Sequence, residues 1–320
     1  MSETVQILER LVAFDTTSAK TNLGLIGFIK SFLQDRGFRI TQIDDDTGQK
    51  AGLYAETGPV GDGILLSGHT DVVPVVGQNW SRDPFRLSRE GTRLYGRGTT
   101  DMKGYLAAML RAADMAAGKD FQAPLKLVFS YDEEIGCVGI QHMIDRLIPL
   151  VGHPRACLVG EPTEMQVATG HKGKAAIRVV CNGQSGHSAA APNFVNALHL
   201  AADFIAELRK VQDGLVQIGA RDVAYDVGYS TVHIGKITGG TALNIVPDRA
   251  ELSIEYRHLA ADDPEQIMAR INDAAEKVAR RYRQKFSAAK IELERYNTYP
   301  GLDVPADTPV VTLGKRLAAT

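Results

Sequence analysis

The sequence is poor in cysteine. Its three cysteines, Cys137, Cys157 and Cys181, are scattered along the chain and form no Cys-x-x-Cys pair. Neither a disulfide framework nor a thiolate zinc site is therefore expected. A reducing cytoplasm is the compartment that this cysteine usage predicts.

Long apolar runs and an excess of one charge are also missing. No stretch approaches the roughly 20 consecutive apolar residues that a helix needs to span a bilayer. The start, MSETVQILERLVAF, carries Glu3 and Glu9 where a signal peptide has a basic segment and then an apolar one. The formal net charge of -2 offers no basic surplus for binding nucleic acid or an anionic membrane. We therefore expect no nucleic-acid partner, no membrane and a cytoplasmic location.

The first part of the chain reads as an α/β domain. Its 320-residue length favours two domains, because single cores stop growing at about 250–300 residues, although one large domain stays open. An amphipathic helix is predicted at 22–36 and another at 103–117. Short apolar runs alternate with these helices, at 38–43, 51–56, 64–68, 125–130 and 156–159. Such interleaving is typical of a central, mostly parallel sheet covered by helices.

From residue 172 the pattern changes. The segments predict strand, helix, strand, strand, helix and strand, at 174–181, 194–211, 229–237, 250–258, 264–284 and 290–296. This is the order of a ferredoxin-like α/β sandwich. In AELSIEYR, apolar and polar residues alternate strictly, which predicts a strand with one open face. We therefore divide the chain into a catalytic domain (1–171), an inserted domain (172–297) and a return into the first domain (298–320), which reads as a helix cut off in mid-pattern.

Acidic side chains and a histidine follow the predicted strands of the first domain. His69 and Asp71 end the run at 64–68, and Asp101 precedes the helix at 103. Glu161 follows 156–159, and three acids follow 125–130: Asp132, Glu133 and Glu134. In open α/β sheets the ligand crevice lies beyond the carboxyl ends of the strands, so these residues can converge.

Such a cluster needs positive charge among its carboxylates. Two divalent ions would supply it, and His with Asp and Glu ligands suits zinc or a related metal. Ion pairs with lysine or arginine are the alternative, but only Arg97 and Lys103 lie close in sequence. Each residue also has an ordinary structural explanation: a hydrogen-bonded histidine, a turn aspartate, an acid at a helix start, a solvated acid pair or a loop acid. The coincidence of all of them at one end of the sheet favours the metal site.

Six motifs in order resemble the dinuclear zinc amidohydrolases, a family that includes acetylornithine deacetylase, succinyl-diaminopimelate desuccinylase, aminoacylases and glutamate carboxypeptidases. The motifs are SGHTDVVP, YGRGTTDMKG, SYDEEIG, GEPT, SGHSA and GGTALNIVPD, and they span almost the whole chain. The resemblance implies a zinc-peptidase-like catalytic domain with an inserted domain that serves as lid and dimerisation domain.

The resemblance also implies roles for individual residues. His69 and Glu161 would bind the first metal ion, Asp101 would bridge two ions, and Glu134 would bind the second. Asp71 would orient the His69 imidazole from behind. Glu133 would be the general base that takes a proton from the attacking water.

Three residues of the inserted domain complete this picture. His187, in SGHSA, would reach the active site of the neighbouring subunit of a homodimer and stabilise the oxyanion. Asn244 and Arg257 would bind the substrate carboxylate. Taken alone, His187 reads as a polar loop residue and Arg257 as a residue of the open sheet face. The family also has a second-site histidine near its C-terminus, whereas this chain has none after His258. The second of the two divalent ions, zinc or cobalt, is therefore expected to be held incompletely.

These features predict a metal-dependent deacylase that hydrolyses the amide of an N-acyl amino acid. The wording of GRGTTDMKG, FSYDEEIGCVG and GHKGK resembles acetylornithine deacetylases most, which implies N-acetylornithine as substrate and a place in arginine biosynthesis. A desuccinylase, a general aminoacylase or a carboxypeptidase are the alternatives of the same chemistry. From another class, the chain would be a truncated homologue that dimerises but binds metal poorly.

Overall fold

The computed structural model describes residues 2–318, which form two compact units. The first unit runs to Val167 and resumes at Ala306, and the second is Ala168–Pro305. The inserted segment is thus wider than the predicted 172–297. It is wider because β8 (Gly170–His171) pairs with β15 (Leu302–Asp303), and this short ladder joins the two ends of the insertion.

The first unit is built on a five-stranded sheet in the order β1-β2-β6-β3-β7. Its strands are β1 (Arg39–Asp44), β2 (Ala51–Thr57), β3 (Ile64–His69), β6 (Leu125–Ser130) and β7 (Ala156–Val159), and a hairpin of β4 (Ser88–Glu90) and β5 (Arg93–Tyr95) stands apart. β3 lies parallel to β6 and β7, whereas β2 is antiparallel to both of its neighbours, β1 and β6. Four of the five strands therefore run in one direction, which confirms the mostly parallel sheet.

Within the described residues, five helices belong to this unit: α1 (Glu3–Val12), α2 (Leu23–Gln34), α3 (Lys103–Ala116), α4 (Val138–Val151) and α7 (Pro309–Ala318). The predicted helices at 22–36 and 103–117 are confirmed as α2 and α3. The main core lies where α1, α2 and α3 bury leucine, isoleucine and alanine side chains against the sheet. A smaller core forms where α4 buries Met143 and Leu147.

The sequence did not predict α4. Its buried residues Gly139, Met143 and Leu147 are spaced four apart, as one helical face requires. Ile144 and Ile148 are exposed, however. Apolar residues therefore occur on more than one face of the helix, and the buried face cannot be recognised from the sequence pattern. Pro149, in its last turn, is a further signal against a helix.

The second unit has the predicted ferredoxin-like order. Its main elements are β9 (Gly173–Asn182), α5 (Ala197–Ile218), β11 (Thr231–Gly239), β13 (Arg249–His258), α6 (Pro264–Arg283) and β14 (Lys290–Tyr299). The four strands form an antiparallel sheet in the order β11-β13-β9-β14. Helix α5 starts later and ends later than the predicted 194–211. Its start is set by the Asn196 side chain, which caps the helix by accepting from the Leu198 N–H at 2.8 Å. β10 (Gly186–His187) leads into a 3-10 helix, Ser188–Asn193, and pairs with β12 (Ile245–Val246) from further along the chain.

Strand β13 confirms the predicted alternation. Ala250, Leu252, Ile254 and Tyr256 are buried, whereas the residues between them are partly exposed. The buried face packs on α5 and α6 in a core that lies wholly within this unit. Among residues 2–318, no helix is long and apolar enough to cross a membrane.

Candidate metal centre

His69 is the last residue of β3 and is buried, with 2% of its surface exposed. Its Nδ1 lies 3.0 Å from the Asp71 carbonyl oxygen and 3.3 Å from Asp71 Oδ1. Its Nε2 lies 3.0 Å from Asp101 Oδ1. Burial lowers the pKa of His69, but hydrogen bonds to Asp101 and Asp71 outweigh this effect and raise it to about 11. The ring is thus fixed through Nδ1, and Nε2 faces the carboxylates.

Asp101 and Glu161 form with His69 a group of three side chains that could hold a metal ion. One ligand atom from each residue lies within 4.8 Å of the other two. Glu161 follows β7, and its Oε1 is 3.9 Å from His69 Nε2. Asp101 stands just before α3, and the peptide bond that follows it is cis. In residues 2–318 this is the one such group of His, Cys, Asp and Glu side chains.

Asp71 connects the end of β3 to the acidic loop after β6. Its carboxylate accepts hydrogen bonds from the Glu133 N–H at 3.0 Å, the Glu134 N–H at 3.2 Å and the Ser18 hydroxyl at 2.7 Å. Burial raises the pKa of Asp71, but hydrogen bonds from His69 and Ser18 outweigh burial and lower it. Asp71 is therefore an ionised acceptor that holds both the His69 ring and the loop backbone.

The two neighbouring glutamates have different surroundings. Glu134 lines a cleft of ≈ 200 Å³ together with Asp101. Burial, and then the nearby Asp101 charge, raises the pKa of Glu134 to about 7. Burial also raises the pKa of Glu161; the His69 charge opposes this rise and the Asp101 charge adds to it.

Glu133 has a different partner, because its Oε1 accepts a hydrogen bond from the Cys137 thiol at 3.3 Å. The structure thus brings His69, Asp71, Asp101 and Glu161 together and places Glu133 and Glu134 beside Asp71.

Lys103 and Arg97, the two cations that could have neutralised the acids of the site, bind other groups. Lys103 is fully buried and donates to the Phe14 carbonyl at 2.7 Å, and burial lowers its pKa to about 8. Arg97 donates to Gln78 Oε1 and lies over the Trp80 ring, 5.1 Å from its centroid. Among the described residues, neither forms an ion pair with an acid of the site.

Two contributors escaped the sequence analysis. Ser18 donates to Asp71 from a segment far upstream, and Lys50 forms an ion pair with Asp132, the acid that precedes Glu133. Both were invisible because they come from loops that carry no motif. The one signal for Lys50 is that a charged residue stands directly before the buried run of β2.

The donor set of the site fits a divalent metal ion. One imidazole nitrogen and two carboxylate oxygens are the ligands that zinc and related borderline metals take. A metal-binding histidine also needs a partner that orients its ring, and Asp71 contacts the other ring nitrogen of His69. Glu134 lies outside the three-residue group, so the two-ion site remains a prediction.

The second unit holds the three other predicted residues. His187 Nδ1 accepts from the Ala189 N–H at 3.1 Å, which leaves the proton of a neutral ring on Nε2. Asn244 lies next to it, because the Ser188 N–H donates to the Asn244 carbonyl at 3.0 Å. Arg257 donates to Glu255 Oε1 at 3.1 Å and to the Tyr299 hydroxyl at 2.8 Å. His187 and Asn244 are thus neighbours, whereas Arg257 is engaged on the sheet.

The sequence matches known proteins over nearly its full length. The profile of peptidase family M20/M25/M40 matches residues 65–318. The curated acetylornithine deacetylase of Salmonella paratyphi B is 31% identical over 323 residues, which cover 99% of this chain and 82% of that protein.

Solved structures share the fold. The M20 family metallo-carboxypeptidase Sso-CP2 of Sulfolobus solfataricus superposes with a TM-score of 0.78 at 20% identity, over 100% of this chain and 84% of that chain. The YXEP protein of Bacillus subtilis, a dinuclear metal binding peptidase of the M20 family, gives a TM-score of 0.65 at 17% identity, over 99% and 78% of the two chains. At these identities the likeness concerns the fold.

Proposed function

Because this chain belongs to peptidase family M20/M25/M40 and is a metal-dependent hydrolase of that family, we propose that it hydrolyses the amide bond of an N-acyl amino acid. The observation that carries the proposal is the convergence of His69, Asp101 and Glu161 at the carboxyl ends of the parallel strands. Such a group is suited to a divalent ion in a crevice that a substrate can enter.

N-acetylornithine is the substrate that we propose, with ornithine and acetate as products. The support is the 31% identity to the Salmonella paratyphi B acetylornithine deacetylase over 99% of this chain. The reaction would then belong to arginine biosynthesis. Succinyl-diaminopimelate, other N-acyl amino acids and peptides are the competing substrates of the same chemistry.

Two divalent ions, zinc or cobalt, are the proposed cofactors. His69 and Glu161 would hold the first ion, Asp101 would be shared, and Glu134 would serve the second. Bound there, the metal supplies Lewis acidity, which polarises the amide carbonyl and lowers the pKa of water.

Glu133 is the proposed general base. Its backbone N–H is held by Asp71, and one carboxylate oxygen accepts the Cys137 thiol, so the side chain is oriented before substrate binds. The carboxylate would take a proton from the attacking water and pass it to the leaving amine. Positioned acid–base groups of this kind contribute about 10²–10⁴-fold to rate.

The second unit would complete the site in a homodimer. His187, with its proton on Nε2, is suited to donate to the oxyanion in the site of the partner subunit. Asn244, its neighbour, and Arg257 would bind the substrate carboxylate. The contacts of Arg257 with Glu255 and Tyr299 would have to loosen or be shared for this role.

A direct substrate comparison tests the proposal. The purified chain is loaded with Zn²⁺ or Co²⁺, and kcat/KM is measured for N-acetylornithine, succinyl-diaminopimelate and a panel of N-acetyl amino acids. The highest value for N-acetylornithine supports the proposal, whereas faster turnover of the succinyl substrate contradicts it. Metal analysis runs in parallel: about two ions per chain supports the dinuclear site, and one or none supports the homologue that binds metal poorly.

A further inference from the structure

Besides Asp71, a lysine side chain contacts the loop that carries Glu133 and Glu134. Lys50 Nζ donates to Asp132 Oδ1 and to the Ser18 carbonyl oxygen. Its side chain is 15% exposed and that of Asp132 is 11% exposed, so the pair is largely shielded from water. A shielded pair of this kind is geometrically specific, and removal of one partner leaves an uncompensated charge.

The sheet topology explains how Lys50 reaches the site. Lys50 directly precedes β2, and β2 is antiparallel to β6. The start of β2 therefore lies at the carboxyl end of β6, where the acidic loop begins. The turn before Lys50 is itself fixed, because Asp45 Oδ1 accepts from the N–H groups of Gln49 and Lys50, each at 3.0 Å.

The contacts of Lys50 continue to Asp71. Ser18, whose carbonyl oxygen Lys50 binds, donates its hydroxyl to Asp71 Oδ2 at 2.7 Å. The Asp71 carboxylate in turn accepts hydrogen bonds from the N–H groups of Glu133 and Glu134. Lys50 thus contacts Asp132, the acid that begins the loop, and also Ser18, which donates to Asp71. Asp71 is the acceptor of the loop N–H groups.

The backbone of Asp132 shows why such a restraint is useful. Its φ of 53° is in the left-handed region, which residues other than glycine rarely adopt. This conformation turns the chain after β6, and the Val138 N–H then donates to the Asp132 carbonyl at 3.0 Å. An anchored side chain restrains Asp132 in this turn.

We propose that Lys50 is a positioning residue, whose ammonium group anchors Asp132 and Ser18 and thereby fixes Glu133 and Glu134 relative to Asp71. The inference rests on the proposed function in one respect, since it takes Glu133 as the base and Glu134 as a metal ligand. Lys50 contacts no substrate; it acts through the loop.

The test compares three variants of the full chain. Lys50→Met removes the charge, and Lys50→Arg keeps it. Lys126→Met is the matched control, because Lys126 is a buried lysine of β6 that donates to the Val151 carbonyl at 2.6 Å, at the start of the strand. Outer partners of metal ligands typically affect metal affinity or activity by about 10–100-fold. We expect Lys50→Met to lower kcat on N-acetylornithine and the affinity for Co²⁺ by that factor, with KM within about twofold.

Hydrogen exchange of the metal-free protein gives a readout without activity. In Lys50→Met the amides of Glu133 and Glu134 should exchange faster than in the wild type, whereas in Lys126→Met they should not. Lys50→Arg should restore most of the protection and of kcat. Unchanged exchange and Co²⁺ affinity in Lys50→Met, or equal losses in both methionine variants, would overturn the proposal. If the wild type hydrolyses no N-acyl amino acid, the proposed function fails, but exchange and Co²⁺ titration still decide the role of Lys50.

Discussion

At the scale of single residues, the site depends on neighbouring acids that face different partners. Glu133 contacts the Cys137 thiol, whereas Glu134 lines the cleft with Asp101. Their backbone N–H groups both bind Asp71, so the loop presents the two side chains from one fixed segment. The two glutamates can therefore be separated by mutation.

Replacement of Glu133 by glutamine tests the base. The amide cannot accept the proton from water, so kcat should fall by about 10²–10⁴-fold, while metal content stays at the wild-type level. Glu134→Gln is the matched control and should lose metal. Kinetics and metal analysis of both variants check this, and a Glu133→Gln enzyme with more than a tenth of the wild-type kcat contradicts it.

Replacement of Asp71 by asparagine tests the orienting carboxylate. An amide offers one acceptor oxygen in place of two, so the N–H groups of the loop and the Ser18 hydroxyl cannot all be satisfied. We expect a loss of about 10–100-fold in metal affinity or kcat, by titration with Co²⁺ and steady-state assay. Asp114→Asn, an acid of α3 that pairs with Arg36, should leave both unchanged. Equal effects of the two substitutions would refute this role of Asp71.

At the scale of elements, the short strand β7 positions Glu161 by close packing. Gly160 lies between β7 and Glu161, and an added Cβ there would be 2.0 Å from Tyr105 ring atoms. The Tyr105 hydroxyl donates to the Leu158 carbonyl at 2.8 Å, so the ring cannot move freely. The absence of a side chain at residue 160 therefore sets how closely β7 approaches α3.

Gly160→Ala should displace Glu161. Overpacking typically costs about 1–3 kcal/mol, so the variant should unfold at lower urea concentration and bind metal more weakly. Gly27→Ala in α2 is the control, because no atom lies within 4 Å of its added Cβ. It should stabilise the helix by about 0.5–1 kcal/mol. A Gly160→Ala protein with wild-type stability and metal affinity would show that the ring yields.

At the scale of the whole molecule, the chain contains two units with separate cores. The core of the second unit draws all of its buried residues from within Ala168–Pro305. The first unit needs segments from both sides of this insertion, since α7 packs on β7. The insertion is therefore the part that can be tested alone.

The isolated segment 168–305 should fold by itself. It keeps its whole core and its four-stranded sheet, so we expect a single cooperative thermal transition by circular dichroism. If dimerisation occurs through this unit, as we propose, the segment should sediment at twice its monomer mass. A monomeric, folded segment would place the dimer contact elsewhere or exclude it.

Metal removal should affect the full chain selectively. Ligands that bind the native state stabilise it by about 2.7 kcal/mol when present at 100 times Kd. Chelation should therefore lower the unfolding temperature of the full chain and abolish hydrolysis, and added Zn²⁺ should restore both. The segment 168–305 should show no shift on the same treatment, and His69→Ala should remove the shift in the full chain. Equal shifts with and without His69 would refute the assigned site.

The sequence predicted most of the elements, and it named the three side chains, His69, Asp101 and Glu161, that the structure brings together. Strand β13 alternates because one face is buried, and this local pattern survives in any context. Helix α4 was missed because exposed Ile144 and Ile148 mask its buried stripe. The antiparallel direction of β2 could not be predicted from the sequence either, since no local pattern indicates which strands become neighbours.

The sequence by itself determined which chemistry is available, because His69, Asp101 and Glu161 stand at strand and helix ends, and the carboxyl ends of parallel strands meet at one edge. Only the tertiary structure decided how these residues are held. Lys50 and Asp132 are 82 positions apart, and they meet because β2 lies antiparallel beside β6. Contacts of this kind depend on the order of strands in the sheet, and that order follows from the packing of the whole unit.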